Sequence, residues 1–172
     1  MMKEALIVID LQNDYFEGGK FPLWNTKTIL ENIKTAIKKA QDKNIPVIIV
    51  QHIAPKSQPG PFFNEGTDGA KIHQDILAIL SKPEIVVKTF ADSFYKTNLK
   101  DVLTKHGVQK IVVCGMMTQN CVLFTSVSQD AQEYDVSIIP ECCTTVNEMI
   151  HMIALHGLST RVDFNSLDEI FK

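Results

Sequence analysis

Short apolar runs alternate with amphipathic stretches along this chain of 172 residues. The runs are rich in valine and isoleucine without regular polar alternation, which is typical of strands buried on both faces of a parallel sheet. They lie at residues 5–10, 47–52, 85–88, 111–115, 136–140 and, more weakly, 159–163. The pattern therefore predicts a mostly parallel sheet of about six strands.

Amphipathic helices are predicted between the apolar runs. Ile29, Ile33 and Ile37 fall on one face of the first helix, with charged residues on the opposite face. Similar spacing predicts further helices over residues 68–80, 97–106, 119–134 and 145–157. The last of these opens with a capping-box sequence, Thr145-Val146-Asn147-Glu148. The alternation predicts a three-layer α/β/α sandwich that forms a single domain over residues 1–172.

Composition narrows the class of protein. Hydrophobic residues make up 45% of the chain and charged residues 22%, which is ordinary for a folded globular domain. The net charge is −3 and lysine and arginine do not cluster, so no nucleic-acid partner is expected. No apolar run reaches the ~18 residues of a membrane span, and the N-terminus lacks the form of a signal peptide. We therefore expect a cytoplasmic protein with no membrane partner.

Chemically reactive residues follow the predicted strands. Asp10, His52 and Lys88 stand at the ends of the first three runs, and Cys121 lies in the segment after the fourth. Such sheets bind ligands outside the carboxyl ends of their strands, where these residues are expected to converge. An acid, a lysine and a cysteine at one edge indicate a site for nucleophilic chemistry.

Cys121 is the candidate nucleophile of this site. A thiol with an ordinary pKa near ~8.5 reacts poorly, because the thiolate is the nucleophilic form. A helix N-terminus and the Lys88 ammonium would favour the thiolate, and Asp10 is placed to accept the thiol proton and return it to a leaving amine. Backbone N–H groups of residues 115–118 are candidate donors to an oxyanion. A core cysteine, a capping aspartate and a surface lysine are the alternative interpretations.

Four segments of the chain resemble, in order, the motifs of one known family. Residues 9–16 are similar to D-x-Q-x-D-F, residues 88–99 to K-x-x-x-S-x-F-x-x-T-x-L, and residues 115–122 to G-x-x-T-x-x-C-V. The remaining segment combines Gly60-Pro61-Phe62 with a glycine-containing stretch at residues 66–70. Together these segments resemble the isochorismatase-like family of cysteine hydrolases, which includes nicotinamidases, N-carbamoylsarcosine amidases and ureidoacrylate hydrolases.

The resemblance implies roles for particular residues. It implies a catalytic triad of Asp10, Lys88 and Cys121, the same residues that the strand ends single out. It also implies a non-proline cis peptide bond between Met116 and Met117, and an oxyanion hole formed by the N–H groups of Met117 and Cys121. The implied reaction is hydrolysis of a non-peptide C–N bond in a small amide or ureido substrate through a thioester intermediate.

The chain departs from the family's nicotinamidases where the resemblance places their metal site. Those enzymes have an Asp-x-His motif after the second strand and a further histidine in the next loop. This chain has His52 and Ala54 at those positions and no histidine in residues 56–63. Because a zinc site needs about three protein ligands, the sequence predicts no metal and no cofactor. A metal-assisted nicotinamidase with an atypical site, a non-catalytic binding member and a redox-sensing thiol are the alternatives.

The substrate pocket is expected near the same strand ends, with aromatic walls that suit a small planar group. The candidate pocket residues are Phe16, Trp24, Gln51, His52, Phe90 and Phe94. Core packing is the alternative for Phe16 and Phe94, and a plain strand-end position is the alternative for His52. The resemblance also implies that the chain forms a homodimer or a homotetramer.

Overall fold

The computed structural model describes residues 2–172, in which six strands form one sheet. The strands are β1 (Glu4–Ile9), β2 (Val47–His52), β3 (Glu84–Lys88), β4 (Lys110–Met116), β5 (Asp135–Thr144) and β6 (Asp163–Phe164). Their order is β3-β2-β1-β4-β5-β6, and all neighbouring pairs are parallel. The chain therefore starts in the middle of the sheet, moves outward to β3, and then crosses back to the other side of β1.

Six α-helices connect the strands or follow them. They are α1 (Thr26–Asp42), α2 (Gln74–Ile79), α3 (Leu99–His106), α4 (Leu123–Ser126), α5 (Glu148–Leu158) and α6 (Leu167–Ile170). Right-handed crossovers place α1 and α2 on one face of the sheet and α3, α4 and α5 on the other. The predicted three-layer α/β/α sandwich is confirmed. Within residues 2–172, no helix has the length and apolar character needed to cross a membrane.

The core is centred on β1, whose residues from Ala5 to Ile9 have no exposed surface. Each fully buried valine, leucine or isoleucine side chain contributes about 1.5–3 kcal/mol to folding. The edge strand β3 is different, because Ile85 and Val87 are 41% and 52% exposed. The prediction that every apolar run is buried on both faces is therefore wrong for β3, because Ile85 and Val87 share one face, which is exposed, whereas Val86 and Lys88 on the other face are buried.

Two predicted helices are shorter than the pattern suggested. The segment 68–80 contains a 3-10 turn at Asp68–Ala70, and α2 begins only at Gln74. The segment 119–134 is broken into a π-helical turn (Thr118–Val122), α4, and a 3-10 turn at Asp130–Glu133. The polar and β-branched run at residues 125–128 explains the break, since such residues favour helix ends over helix interiors.

Boundaries near the C-terminus also differ from the prediction. Helix α5 is capped by Asn147, whose side chain accepts from Ile150 N at 2.9 Å, so the predicted capping box at Thr145 does not form. Strand β5 continues past Pro140 to Thr144, with a shift in its pairing to β4 around this proline. Proline has no N–H to donate to the ladder, so pairing resumes only beyond it. The sixth strand lies at Asp163–Phe164 rather than at residues 159–163.

Candidate active site

Four reactive side chains meet at the carboxyl edge of the sheet. The strand order reverses between β1 and β4, which is where sheets of this kind bind ligands. Asp10 follows β1, His52 and Lys88 are the last residues of β2 and β3, and Cys121 lies in the π-helical turn after β4. His52 and Lys88 are paired in register on neighbouring strands, so their side chains point to the same face.

The Lys88 ammonium lies at the centre of this cluster. Its Nζ is 3.0 Å from Asp10 Oδ2, 2.9 Å from His52 Nδ1 and 3.2 Å from Cys121 Sγ, and it donates to the Phe90 carbonyl at 3.1 Å. The Lys88 and Asp10 side chains are completely buried. Burial lowers the pKa of Lys88, but the Asp10 carboxylate and the neighbouring Cys121 sulfur outweigh this effect and raise it overall. Lys88 is therefore a stable ammonium ion at neutral pH.

Asp10 is held in an unusual backbone conformation. Its φ is +56°, in the left-handed region that aspartate adopts more readily than most residues. Its N–H donates to the Val50 carbonyl at 3.0 Å, which ties it to β2. Its Oδ2 accepts from Lys88, whereas Oδ1 is buried and accepts no hydrogen bond from residues 2–172. A buried carboxylate oxygen without a donor is costly, and it is ready to accept a proton.

Cys121 is almost completely enclosed, with 2% of its surface exposed. Burial raises the pKa of the thiol, the Asp10 carboxylate raises it further, and the Lys88 ammonium offsets only part of the rise. Cys121 is therefore a neutral thiol at rest, placed between a proton acceptor and a cation. Its proton has to leave during the reaction rather than before it.

The turn that precedes Cys121 carries a cis peptide bond between Met116 and Met117. This is the bond that the family resemblance indicates. The Met117 N–H makes no hydrogen bond with any other group in the described part of the chain. Thr118 Oγ1 lies 2.9 Å from Nδ1 of His151 on α5, which fixes the start of the π-helical turn. A free N–H thus lies immediately before the π-helical turn that carries Cys121.

The backbone of His52 is held by Gln12, which lies just beyond β1. Gln12 Oε1 accepts from His52 N at 2.7 Å, and Gln12 Nε2 donates to the His52 carbonyl at 2.7 Å. Burial and the Lys88 charge lower the pKa of His52 to about 4. His52 is therefore a neutral imidazole at neutral pH, and its Nδ1 faces the ammonium.

Two of the candidate pocket residues lie away from the cluster. Gln51 points to the opposite face of β2 from His52, donates to the Ala70 carbonyl at 2.9 Å, and lines a cavity of about 640 Å³. Phe94 is 5% exposed, and its ring stacks on Tyr134 with centroids 6.1 Å apart. The structure places Gln51 in a separate cavity and Phe94 in the core.

The other aromatic candidates also have neighbours outside the cluster. The Phe16 ring packs on His73 with centroids 4.4 Å apart. Phe90 is 43% exposed, its ring packs against Tyr95, and its carbonyl accepts a hydrogen bond from Lys88. The centroid of the Trp24 ring lies 6.1 Å from that of His151, the residue that contacts Thr118.

An aromatic cluster to which the sequence analysis gave no role lies beside His52. Tyr15 packs edge-on against Phe63 with centroids 4.5 Å apart, and Phe63 lies 5.0 Å from Phe62 and 5.9 Å from His52. Burial raises the pKa of Tyr15, and the nearby charges of Asp10 and Cys121 raise it further. The available signal was Phe62-Phe63, an aromatic pair inside a polar loop rich in glycine and proline.

The fold and this cluster define a class of doubly wound α/β/α protein with a buried aspartate, lysine and cysteine at its ligand-binding edge. A sequence model of the isochorismatase domain matches residues 4–164. The chain belongs to the isochorismatase family.

Individual relatives resemble the chain over most of its length. YddQ of Bacillus subtilis, an isochorismatase-family protein, is 35% identical over 87% of this chain and 82% of its own. Nicotinamidase 3 of Arabidopsis thaliana is 29% identical over 90% of this chain and 80% of its own. The crystal structure of a protein from Oleispira antarctica, described as an isochorismatase hydrolase, matches with a TM-score of 0.89 at 31% identity. That match covers 98% of this chain and 96% of the other.

The similarity to nicotinamidases raises the question of a metal ion. Asp10, His52 and Cys121 offer oxygen, nitrogen and sulfur atoms within 4.8 Å of one another. However, the Lys88 ammonium lies between them, 2.9 to 3.2 Å from one atom of each. A divalent cation bound at the ~2.0–2.3 Å usual for zinc would lie against this positive charge. These residues therefore do not fit a resident metal ion, and no step below uses one.

Proposed function

We propose that this chain is a cysteine hydrolase that cleaves a non-peptide C–N bond in an amide or ureido group of a small molecule. One observation carries the proposal: a single buried ammonium contacts both the Asp10 carboxylate and the Cys121 sulfur. A proton acceptor, a cation and a thiol in mutual contact are the groups that acyl transfer to sulfur requires. The relationship to the isochorismatase family and to Nicotinamidase 3 supports a hydrolytic reaction.

The first step forms the bond between Cys121 and the substrate. The sulfur attacks the carbonyl carbon, the thiol proton moves to Asp10, and the carbonyl electrons move onto oxygen. Asp10 Oδ1 is the acceptor in this proposal, because it is buried and has no other hydrogen-bond donor. Since the pKa of the thiol is raised, proton transfer and C–S bond formation belong to one step.

Charge that builds up in this step is stabilised by fixed groups. The Lys88 ammonium, 3.2 Å from the sulfur, stabilises negative charge there, and it bonds to Asp10 Oδ2 at 3.0 Å. The N–H groups of Met117 and Cys121 bind the oxyanion. The free state of the Met117 N–H supports this role, because a donor already in use would have to break a bond first.

The second half of the reaction regenerates the thiol. The tetrahedral intermediate collapses, its C–N bond breaks, and Asp10 returns the proton to the leaving nitrogen, which departs as ammonia or an amine. Water then attacks the thioester carbonyl and gives a proton to Asp10. The C–S bond breaks, the acid product leaves, and Cys121 recovers its proton from Asp10.

The enclosure of the cluster favours a small substrate. Asp10, Lys88 and Cys121 are nearly inaccessible, and neither the 640 Å³ cavity nor a second cavity of about 430 Å³ is lined by any of them. The aromatic cluster of Tyr15, Phe62 and Phe63 lies beside His52. A compact, planar acyl group fits such surroundings better than a peptide.

The proposal also covers the oligomeric state of the chain and its location in the cell. We infer that the chain forms a homodimer or homotetramer, supported by Met149, Met152 and Ile153 of α5, which are 58–74% exposed. All four cysteines are free, including the adjacent Cys142 and Cys143. Unpaired cysteines are usual in a reducing compartment, which supports a cytoplasmic location.

Ammonia release from a panel of small amides and ureido compounds, nicotinamide included, tests the proposal. We expect turnover of at least one compound by the wild-type chain and none by Cys121→Ala. Asp10→Asn should lower kcat by about 10²- to 10⁴-fold, the usual share of a general base. Cys114→Ala is the matched control, because this buried cysteine lies in β4 outside the cluster and its loss should leave kcat within a few fold.

Three results would overturn the proposal. Turnover that survives in Cys121→Ala would show that the thiol is not the nucleophile. Turnover that chelation abolishes and zinc restores would favour a metal-assisted nicotinamidase instead. If the wild-type chain turns over nothing but panel compounds raise its Tm, a non-catalytic binding role replaces the hydrolase.

A further inference from the structure

His52 contacts the Lys88 ammonium, the cation of the proposed triad. Nδ1 lies 2.9 Å from Lys88 Nζ, and the two residues are paired on neighbouring strands. An ammonium group has no acceptor, so Lys88 donates and Nδ1 accepts. The ring is therefore neutral with its proton on Nε2. Gln12 fixes the His52 backbone on both its N–H and its carbonyl, so the position of the ring is well determined.

The His52 contact determines how Lys88 meets Asp10. An ammonium is a compact point charge with three rotatable N–H donors, so it can approach either oxygen of a carboxylate, and its other acceptors influence which oxygen it meets. Here Nζ bonds to Oδ2 alone, and Oδ1 has no donor in residues 2–172. His52 Nδ1 and the Phe90 carbonyl take the remaining N–H bonds of Lys88. These acceptors therefore keep the ammonium away from Oδ1.

The neutral state of His52 persists over a wide pH range. Burial and the charge of Lys88 both lower the pKa of His52, to about 4, and the more distant Asp10 charge offsets only part of this. The titratable groups around the ring are Lys88, Asp10 and Cys121. At neutral pH the ring remains an acceptor for Lys88.

We propose that His52 is a positioning residue of the hydrolase proposed above. Its Nδ1 holds the Lys88 ammonium against Cys121 Sγ and Asp10 Oδ2, so that Asp10 Oδ1 remains free to take the thiol proton. His52 acts through Lys88 and exchanges no proton in the reaction. The same geometry explains why a histidine stands at this strand end in a cluster that does not fit a metal ion.

Alkylation of Cys121 by iodoacetamide across pH, followed on the Cys121 peptide by mass spectrometry, tests this role without a substrate. The variants are His52→Leu, which removes the acceptor, and His52→Asn, whose amide oxygen reaches the position of Nδ1. The readout is the midpoint of the pH profile rather than the rate, because a smaller side chain also admits more reagent. His156→Leu, at an exposed histidine of α5, is the matched control.

We expect the midpoint in His52→Leu to rise by at least about one pH unit, because an ammonium drawn onto Asp10 stabilises the thiolate less. That shift is about a tenfold loss of thiolate at any pH below the midpoint. His52→Asn should recover most of the shift, and His156→Leu should show none. On any substrate found, His52→Leu should lower kcat with little change in KM.

The positioning role would be overturned if the alkylation midpoint of His52→Leu equals that of the wild type while the midpoint of Lys88→Met is raised. If His52→Leu does not fold, His52→Asn is compared with His52→Gln, whose amide lies one methylene farther out, near Nε2. Recovery with Asn but not with Gln supports the proposal, and equal midpoints overturn it. Failure of the hydrolase proposal appears separately, as absence of ammonia release, and leaves the alkylation series intact.

Discussion

At the scale of single residues, Lys88 Nζ has more hydrogen-bond acceptors around it than it has protons to donate. An ammonium donates three hydrogen bonds, whereas Asp10 Oδ2, His52 Nδ1, the Phe90 carbonyl and Cys121 Sγ all lie within 3.2 Å. The thiol is the weakest and the most distant acceptor, so it receives the weakest hydrogen bond from Lys88 in the resting enzyme. When sulfur becomes negative it becomes a much better acceptor, so the ammonium stabilises the transition state more than the resting enzyme.

The lowered pKa of His52 predicts that this residue makes the folded chain less stable in acid. Histidine in the unfolded chain titrates near ~6.5, whereas folded His52 titrates at about 4. Between these values only the unfolded state binds the proton, so the free energy of unfolding decreases as the pH falls. The loss between pH 8 and pH 5 amounts to about 2 kcal/mol at most.

Urea unfolding of wild type and His52→Asn at pH 8 and pH 5 measures this loss. The wild-type free energy of unfolding should fall by up to about 2 kcal/mol more than that of the variant. The pKa values of His73 and His151 are also lowered by burial, but the wild type and His52→Asn both contain these residues, so their effect cancels in the comparison. An equal fall in the two proteins would mean that His52 is as easily protonated in the folded chain as in the unfolded one.

The sequence predicts single residues well where the backbone pattern alone places them. Asp10, Lys88 and Cys121 could be singled out because each follows an apolar run, and strand ends share an edge. The contact between His52 and Lys88 could not be predicted, since it requires β2 and β3 to be neighbours in register. Gln51 was assigned to the pocket although strand alternation turns it to the face opposite His52.

At the scale of elements, Gly115 determines how closely β4 approaches β1 at the edge that carries the site. Its φ is +123°, and a Cβ atom there would lie 2.2 Å from the Ile9 carbonyl oxygen. We expect Gly115→Ala to lower the free energy of unfolding by more than about 2 kcal/mol, because both the backbone angle and the strand contact must change. Activity should fall as well, since Gly115 leads into the turn that carries Cys121.

Gly157→Ala is the matched control for this substitution. Gly157 is the penultimate residue of α5, and a Cβ atom there would meet nothing within 4 Å. Alanine at this position should leave the stability unchanged or raise it by up to about 0.5–1 kcal/mol, the gain over glycine in a helix interior. Guanidinium unfolding of both variants measures the contrast. Equal stabilities would argue against the close approach of β1 and β4 at Gly115.

The type of each element, helix or strand, was predicted more reliably than its first and last residues. Each of the first four apolar runs coincides with a strand, because valine and isoleucine runs of that length favour buried strands. Strand β5 extends past Pro140 because the pairing to β4 shifts and resumes beyond the proline, which local pattern does not reveal. The helix predicted over residues 119–134 is interrupted at the polar and β-branched run 125–128, whose residues favour helix ends over helix interiors.

At the scale of the whole molecule, the layers follow from the sequence but the strand order does not. Alternation of strands and helices predicts a parallel sheet covered on both faces. Several strand orders satisfy that alternation, and the order found here reverses between β1 and β4. That reversal opens the edge at which Asp10 and Cys121 meet, so the site depends on a feature of the fold that no single segment encodes.

The exposed face of α5 carries the last prediction, which concerns assembly. Met149, Met152 and Ile153 are 74%, 58% and 65% exposed and fall on one side of the helix. Exposed apolar residues grouped in this way are typical of an interface, and a second copy of the chain would cover them symmetrically. Light scattering should give a dimer or a tetramer for the wild type and a smaller species for Ile153→Glu.

Leu77→Glu is the control, because Leu77 is an exposed apolar residue on α2, away from this face. It should leave the mass unchanged, and a monomeric wild type at micromolar concentration would contradict the prediction. Assembly also bears on the site, because α5 holds Thr118 through His151 at 2.9 Å. If partner contacts hold α5 in place, Ile153→Glu should lower kcat while the Cys121 alkylation midpoint, set by Lys88 and Asp10, stays close to that of the wild type.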